Sequence, residues 1–127
     1  MSFLNKLFGN DEPKSSSSAE NTFWNYIESE EDLKAATEKS FEKKVVIFKH
    51  STSCYISKMV LKSFEKEVGN SDKDVAYYFL DLIKYRPISN QIAANLGVTH
   101  QSPQMIVLVD GKAVENASHQ SISVNLI

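Results

Sequence analysis

Two short apolar runs, residues 45–48 (VVIF) and 75–80 (VAYYFL), each lead into a segment with helical periodicity. That alternation limits the fold more than any other feature of the chain. Continuous β-branched and aromatic runs bounded by polar turns are the pattern of strands covered on both faces. After the first run, Ile56, Met59, Val60, Phe64 and Val68 recur at helical spacing, and Gly69 supplies a C-terminal stop. After the second, Pro87 opens a helix that runs through Ile88, Ile92, Ala93 and Leu96 and closes at Gly97. Strand, helix, strand, helix calls for a parallel pair. Residues 104–109 (QMIVLV), the dipeptide Asp110-Gly111 and residues 112–115 then read as a hairpin with the favoured two-residue turn.

Upstream, Ser29 can cap a helix whose first turn carries Glu30, Glu31 and Asp32, with Leu33, Ala36 and Thr37 on its inner side and Trp24 and Ile27 packed beside its start. Residues 118–127 can form a short terminal helix. The expected fold is therefore α/β, ordered α-βαβαββα, with a mixed four-stranded sheet covered by helices on both faces and spanning residues 22–127. Ahead of it, Phe3, Leu4, Leu7 and Phe8 would share one side of a two-turn helix in an amphipathic segment, 1–8, short enough to be marginal alone. Residues 9–21, with Pro, Gly and four consecutive serines, have the composition of a flexible linker.

A chain of 127 residues is long enough for one domain that buries roughly two-thirds of its unfolded surface without disulfide staples. Its net charge of -2 comes from interspersed acids and bases, which argues against nucleic acid as a partner. The sequence carries neither a secretory leader pattern nor an apolar stretch of spanning length, so a cytoplasmic protein with no membrane span is expected. One cysteine cannot close an intramolecular disulfide or build a cysteine-rich zinc site.

That cysteine, Cys54, lies between the first strand and its helix. A thiol reacts as the thiolate, and the free amides and positive dipole end of a helix N-terminus favour that form. An isolated cysteine is more often a small buried hydrophobe. Here Ser51, Thr52, Ser53 and Ser57 surround it with polar company, which is poor core material. Ser57, three residues on, is placed to donate its hydroxyl to the sulfur, and Lys49, His50 and Lys58 are the nearby cationic candidates for tuning the thiol. Lys49 and His50 alternate across a strand end, so at most one of them faces it. Farther on, Ser102-Pro103 precedes the strand at 104–109, where a proline costs no ladder hydrogen bond.

The element order, a Cys-x-x-Ser at the first helix and an x-Pro before the third strand resemble the thioredoxin fold in its monothiol glutaredoxin form. More specifically, FKHST-C-IS, RPISNQIAANLGVTHQSPQ and VLVDGK resemble the monothiol bacilliredoxins of the YtxJ-like family, over residues 22–127. The resemblance implies a thiol-disulfide oxidoreductase that reduces mixed disulfides between protein cysteines and a low-molecular-weight thiol such as bacillithiol. Carried over by position, Cys54 is the nucleophile, Ser57 stands where a resolving cysteine would be, and Pro103 is a cis-proline beside the thiol. Ser102 would pair its backbone with an extended substrate segment, and Tyr55 would lie against the substrate. The small thiol is then a co-substrate, no cofactor is held, and a second small thiol or a reductase recycles a protein that is expected to be a monomer. Where the family carries Arg and Pro around the nucleophile, this chain has Ser53 and Tyr55, which removes a charge able to hold the small thiol's carboxylates.

His50, His100 and His119 show no metal-ligand spacing, so no metal site is expected. Two other functions compete on sequence grounds. One is a thioredoxin-like binding or stress-response adaptor without catalysis. The other is an iron-sulfur carrier, disfavoured because Tyr55-Ile56 would crowd a cluster where monothiol glutaredoxins place Gly-Phe.

Overall fold

The apolar runs become the middle of one five-stranded sheet. The computed structural model describes residues 23–127, in the order β1 (Trp24–Tyr26), α1 (Glu30–Lys39), β2 (Lys44–His50), α2 (Tyr55–Gly69), β3 (Val75–Asp81), α3 (Arg86–Leu96), β4 (Gln104–Val109) and β5 (Lys112–Ser118). The amphipathic segment 1–8 and the linker 9–21 lie outside the described residues. Strand order is β1-β3-β2-β4-β5, with β2 parallel to β3 and antiparallel to β4. Every residue of β2 after Lys44 is buried, as a strand with neighbours on both edges and helices on both faces should be.

The period-two alternation of β2 sorts two cores. Val46 and Phe48 pack with Val60, Phe64 and Val68 of α2. On the other face, Val45 and Ile47 pack with Leu33 and Ala36 of α1 and Ile88 and Ile92 of α3. Each of the valine, leucine, isoleucine and phenylalanine side chains here contributes about 1.5–3 kcal/mol when fully removed from water. Local signals behave as their chemistry requires. Ser29 caps α1 by accepting from Asp32 N–H at 3.1 Å. Gly97 ends α3 with φ 65°, and Asp110 and Gly111 both take positive φ in the β4–β5 turn, the conformation a two-residue hairpin of this kind needs.

Three expectations are corrected. The sheet has five strands rather than four, because Trp24–Tyr26 pairs in parallel with β3, and Ile27 N–H extends the pairing to Phe79 C=O at 2.9 Å. What holds this short edge strand is Trp24, packed among Phe23, Phe48, Phe64 and Tyr77 with its Nε1–H donated to Glu65 Oε2 at 2.7 Å. The last ten residues form no α-helix. Ser118 ends β5, His119 turns the chain at φ 54°, and two single 3₁₀ turns follow, His119–Ser121 and Val124–Leu126, with Ile122 plugged into the core between them. Finally, the inner stripe of α2 is Ser57, Val60, Phe64 and Val68. Once Ser57 takes the inward position, Ile56 and Met59 rotate outward and stand exposed beside Tyr55.

Candidate active site

The turn that leaves β2 is closed by Cys54 N–H donating to Ser51 C=O at 3.2 Å, and the chain then enters α2 with Cys54 as its N-cap. Cys54 has extended backbone angles, φ -107° and ψ 122°, and its C=O accepts the first helical bond from Lys58 N–H at 3.1 Å. The side chain is free, partly exposed, and makes no capping hydrogen bond of its own. The first turn of α2 contains no acidic residue, so its unpaired amides face the sulfur's neighbourhood without a competing carboxylate.

Ser57 is fully buried. Its Oγ accepts from Ser51 N–H at 3.0 Å and shares a hydrogen with His50 Nδ1 at 2.8 Å. The sequence reading aims this hydroxyl at the sulfur; the structure instead commits it to His50 and the turn. The reason is register: His50 follows Val46 and Phe48 on the α2 face of β2, which brings its ring over the inward position of the first helical turn. Burial holds His50 below the ordinary histidine range; Asp81 across the strand pair opposes that shift and Lys58, exposed on α2, adds to it.

Lys49 does not face the thiol. It follows Val45 and Ile47 on the opposite face, is fully buried, and donates from Nζ to Ser89 C=O of α3 at 3.1 Å, with His100 Nδ1 at 3.4 Å. Burial, reinforced by the Arg86 charge, pushes the Lys49 ammonium down to about 8. His100 is lowered as well, by burial first and then by Lys49 and Arg86. Beside Lys49 on β4 lies Gln104, which donates to Thr99 C=O at 2.9 Å while its Oε1 is buried without a partner. The one trace of this cluster in the sequence is a lysine that continues the buried alternation of VVIF.

Ser102-Pro103 is a cis peptide. Because Gln104 pairs with Lys49, Pro103 sits at the end of the sheet from which the Cys54 turn departs, and Pro103 C=O accepts from His119 N–H at 3.2 Å. Beyond the thiol, exposed Tyr55, Ile56 and Met59 border a groove of about 580 Å³ between α2 and the C-terminal turns, closed on its far side by Gln120 and Ile122. Among the described residues no three His, Cys, Asp or Glu side chains gather as a metal site, and no helix is long and apolar enough to cross a membrane.

The family model described as monothiol bacilliredoxin BrxC matches residues 25–127. The chain belongs to that family. Bacilliredoxin membership and the structural neighbours agree on a thiol-redox protein with a thioredoxin-like fold. A solved protein with a thioredoxin fold is 30% identical, with a TM-score of 0.71 over 81% of this chain and 88% of its own. The thioredoxin NaTrxh from Nicotiana alata is 19% identical, with a TM-score of 0.64 over 84% of this chain and 87% of its own. The Malassezia sympodialis thioredoxin Mala s 13 is 23% identical, with a TM-score of 0.60 over 87% and 85%. These two are similar in fold alone. Within the bacilliredoxin frame, Ser53 and Tyr55 flank the N-cap thiol on its exposed side, and Tyr55 is 71% exposed. Neither belongs to the core clusters, so both border the thiol without supporting the scaffold.

Proposed function

We propose that this bacilliredoxin reduces mixed disulfides between protein cysteines and a low-molecular-weight thiol of the bacillithiol type, using Cys54 alone. The observation that carries the reading is the pairing of a partly exposed N-cap thiol with a fully buried serine where a second thiol would otherwise stand. The Cys54 thiolate attacks the small-thiol sulfur of the mixed disulfide. The bond between that sulfur and the client cysteine breaks, the client leaves as a thiolate and takes up a proton, and Cys54 keeps the small thiol in a new disulfide. A second small thiol then attacks this disulfide, restores Cys54, and departs as the oxidised small-thiol dimer. With no further cysteine in the chain, no intramolecular step can substitute.

Ser102, next to the cis-proline, offers main-chain pairing to an extended client segment, and Tyr55 with Ile56 and Met59 offers apolar contact beside the sulfur. Of Lys49, His50 and Lys58, only Lys58 lies on the thiol's own helix and at the surface. The test is transfer from a client protein carrying a bacillithiol mixed disulfide. The expected result is stoichiometric release of client thiol with the small thiol moved to Cys54, and no release with Cys54→Ser. Equal release by Cys54→Ser would defeat the reading and favour a non-catalytic adaptor.

A further inference from the structure

A serine hydroxyl has one proton to give and two lone pairs with which to accept. At Ser57 one lone pair takes the Ser51 N–H, and the remaining contact is His50 Nδ1 at 2.8 Å. The direction of that second bond belongs to His50. With Nδ1 bare, imidazole holds the Ser57 proton and the hydroxyl has nothing to offer an anion nearby. With Nδ1 protonated, the imidazole donates, both lone pairs of Ser57 are filled, and the hydroxyl proton is released. Cys54 is the N-cap and Ser57 the third residue of the helix it opens, the two positions whose groups meet at a capped helix start, and the Cys54 side chain makes no capping hydrogen bond.

We propose that His50 is a positioning residue for the Cys54 thiolate, acting through Ser57: a proton on Nδ1 turns the Ser57 hydroxyl from the imidazole to the sulfur. The proposal deepens the reading of Cys54 as the exchanging thiol and rests on it. The groups around His50 are Asp81 of β3, which favours the proton, Lys58 of α2, which opposes it, and the Phe79 ring at 5.5 Å. Burial weights the balance toward neutral imidazole, so the released hydroxyl belongs to the acid side of neutrality. The consequence is a Cys54 thiolate that gains a hydroxyl hydrogen bond only once His50 carries its second proton.

The experiment is the rate of Cys54 alkylation by iodoacetamide between pH 4.5 and 8, with the His50 ring titration followed by NMR on the same samples. Iodoacetamide reacts with the thiol whether or not the protein exchanges mixed disulfides, so this proposal and the functional reading fail separately. Wild type is expected to show neutral His50 with its proton on Nε2. Below the His50 titration, alkylation should run roughly three- to tenfold above a single-thiol curve, the gain in thiolate being partly offset by its lower nucleophilicity. Ser57→Ala should abolish that excess while His50 still titrates, and Ser57→Thr should restore it. An excess that survives in Ser57→Ala, as a direct charge effect would give, overturns the proposal. So does a wild-type profile with a single titration. Should Ser57→Ala not fold, His50→Asn decides: its fixed amide must give a single-thiol curve, and a two-step curve refutes the relay.

Discussion

Replacing Lys49 by methionine keeps an unbranched stem of similar length in the buried site and removes the ammonium. Lys49 is fully buried, and its pKa falls from the ordinary 10.5 to about 8. Below pH 8 the folded and unfolded states both hold the proton, and the folded state carries the full cost of a buried charge. Between about 8 and 10.5 the unfolded chain binds more protons than the folded one, so stability climbs with pH through that window. Integrated from pH 7 to pH 10, the climb is about 2–3 kcal/mol. Methionine has no such dependence. The stability of Lys49→Met relative to wild type should therefore fall by about 2–3 kcal/mol over the same interval. Its value at pH 7 reflects relief of the buried charge less the lost charge-assisted bond to Ser89 C=O, worth about 1.5–3 kcal/mol. Tyr77, which burial raises, weakens the fold at high pH in both proteins and cancels in the difference. Urea denaturation at four pH values, read by the fluorescence of Trp24, the only tryptophan, measures it under reducing conditions. A stability difference that does not change with pH would refute the assignment of a titrating ammonium to this site.

Other substitutions separate scaffold from chemistry. Ser57→Ala leaves Ser51 N–H and His50 Nδ1 buried without their partner and should lower stability by about 1–3 kcal/mol in urea. Gly111→Ala forces a side chain into φ 78° and its Cβ to 2.9 Å from the Phe41 ring; a loss of about 1–2 kcal/mol is expected by thermal melting. Tyr55→Ala, at an exposed position, should change stability by less than about 0.5 kcal/mol while slowing transfer from a protein client. Ser53→Arg adds a charge beside the thiol and should speed adduct formation with an anionic small-thiol disulfide, an effect that added salt diminishes.

Much of this molecule is readable without coordinates because its local signals agree with its tertiary packing. Ser29, Pro87, Gly97 and Asp110-Gly111 act where their backbone chemistry places them, and Cys54 caps α2 as the strand-to-helix boundary implies. What escapes a linear reading is three-dimensional. Trp24–Tyr26 is too short to announce a strand, and becomes one through the aromatic cluster that holds Trp24 on the sheet. The helical phase of α2 is not fixed by its apolar spacing, because Ile56 and Met59 share that spacing while a serine takes the inward place. Ser57 does so because His50, seven residues earlier on the strand, supplies a buried partner. The separation of Lys49 from His50 onto opposite faces follows from strand alternation; that Lys49 would find Ser89 and His100 on α3 and the following loop required the fold.

An exchanging Cys54 served by a small thiol and by no second cysteine should form one mixed disulfide per chain. Intact-mass analysis after exposure to bacillithiol disulfide, glutathione disulfide and coenzyme A disulfide tests it directly. The expected result is one added small thiol per chain, formed fastest with bacillithiol, absent in Cys54→Ser and removed by excess small thiol. A wild-type mass unchanged by all three disulfides would contradict it.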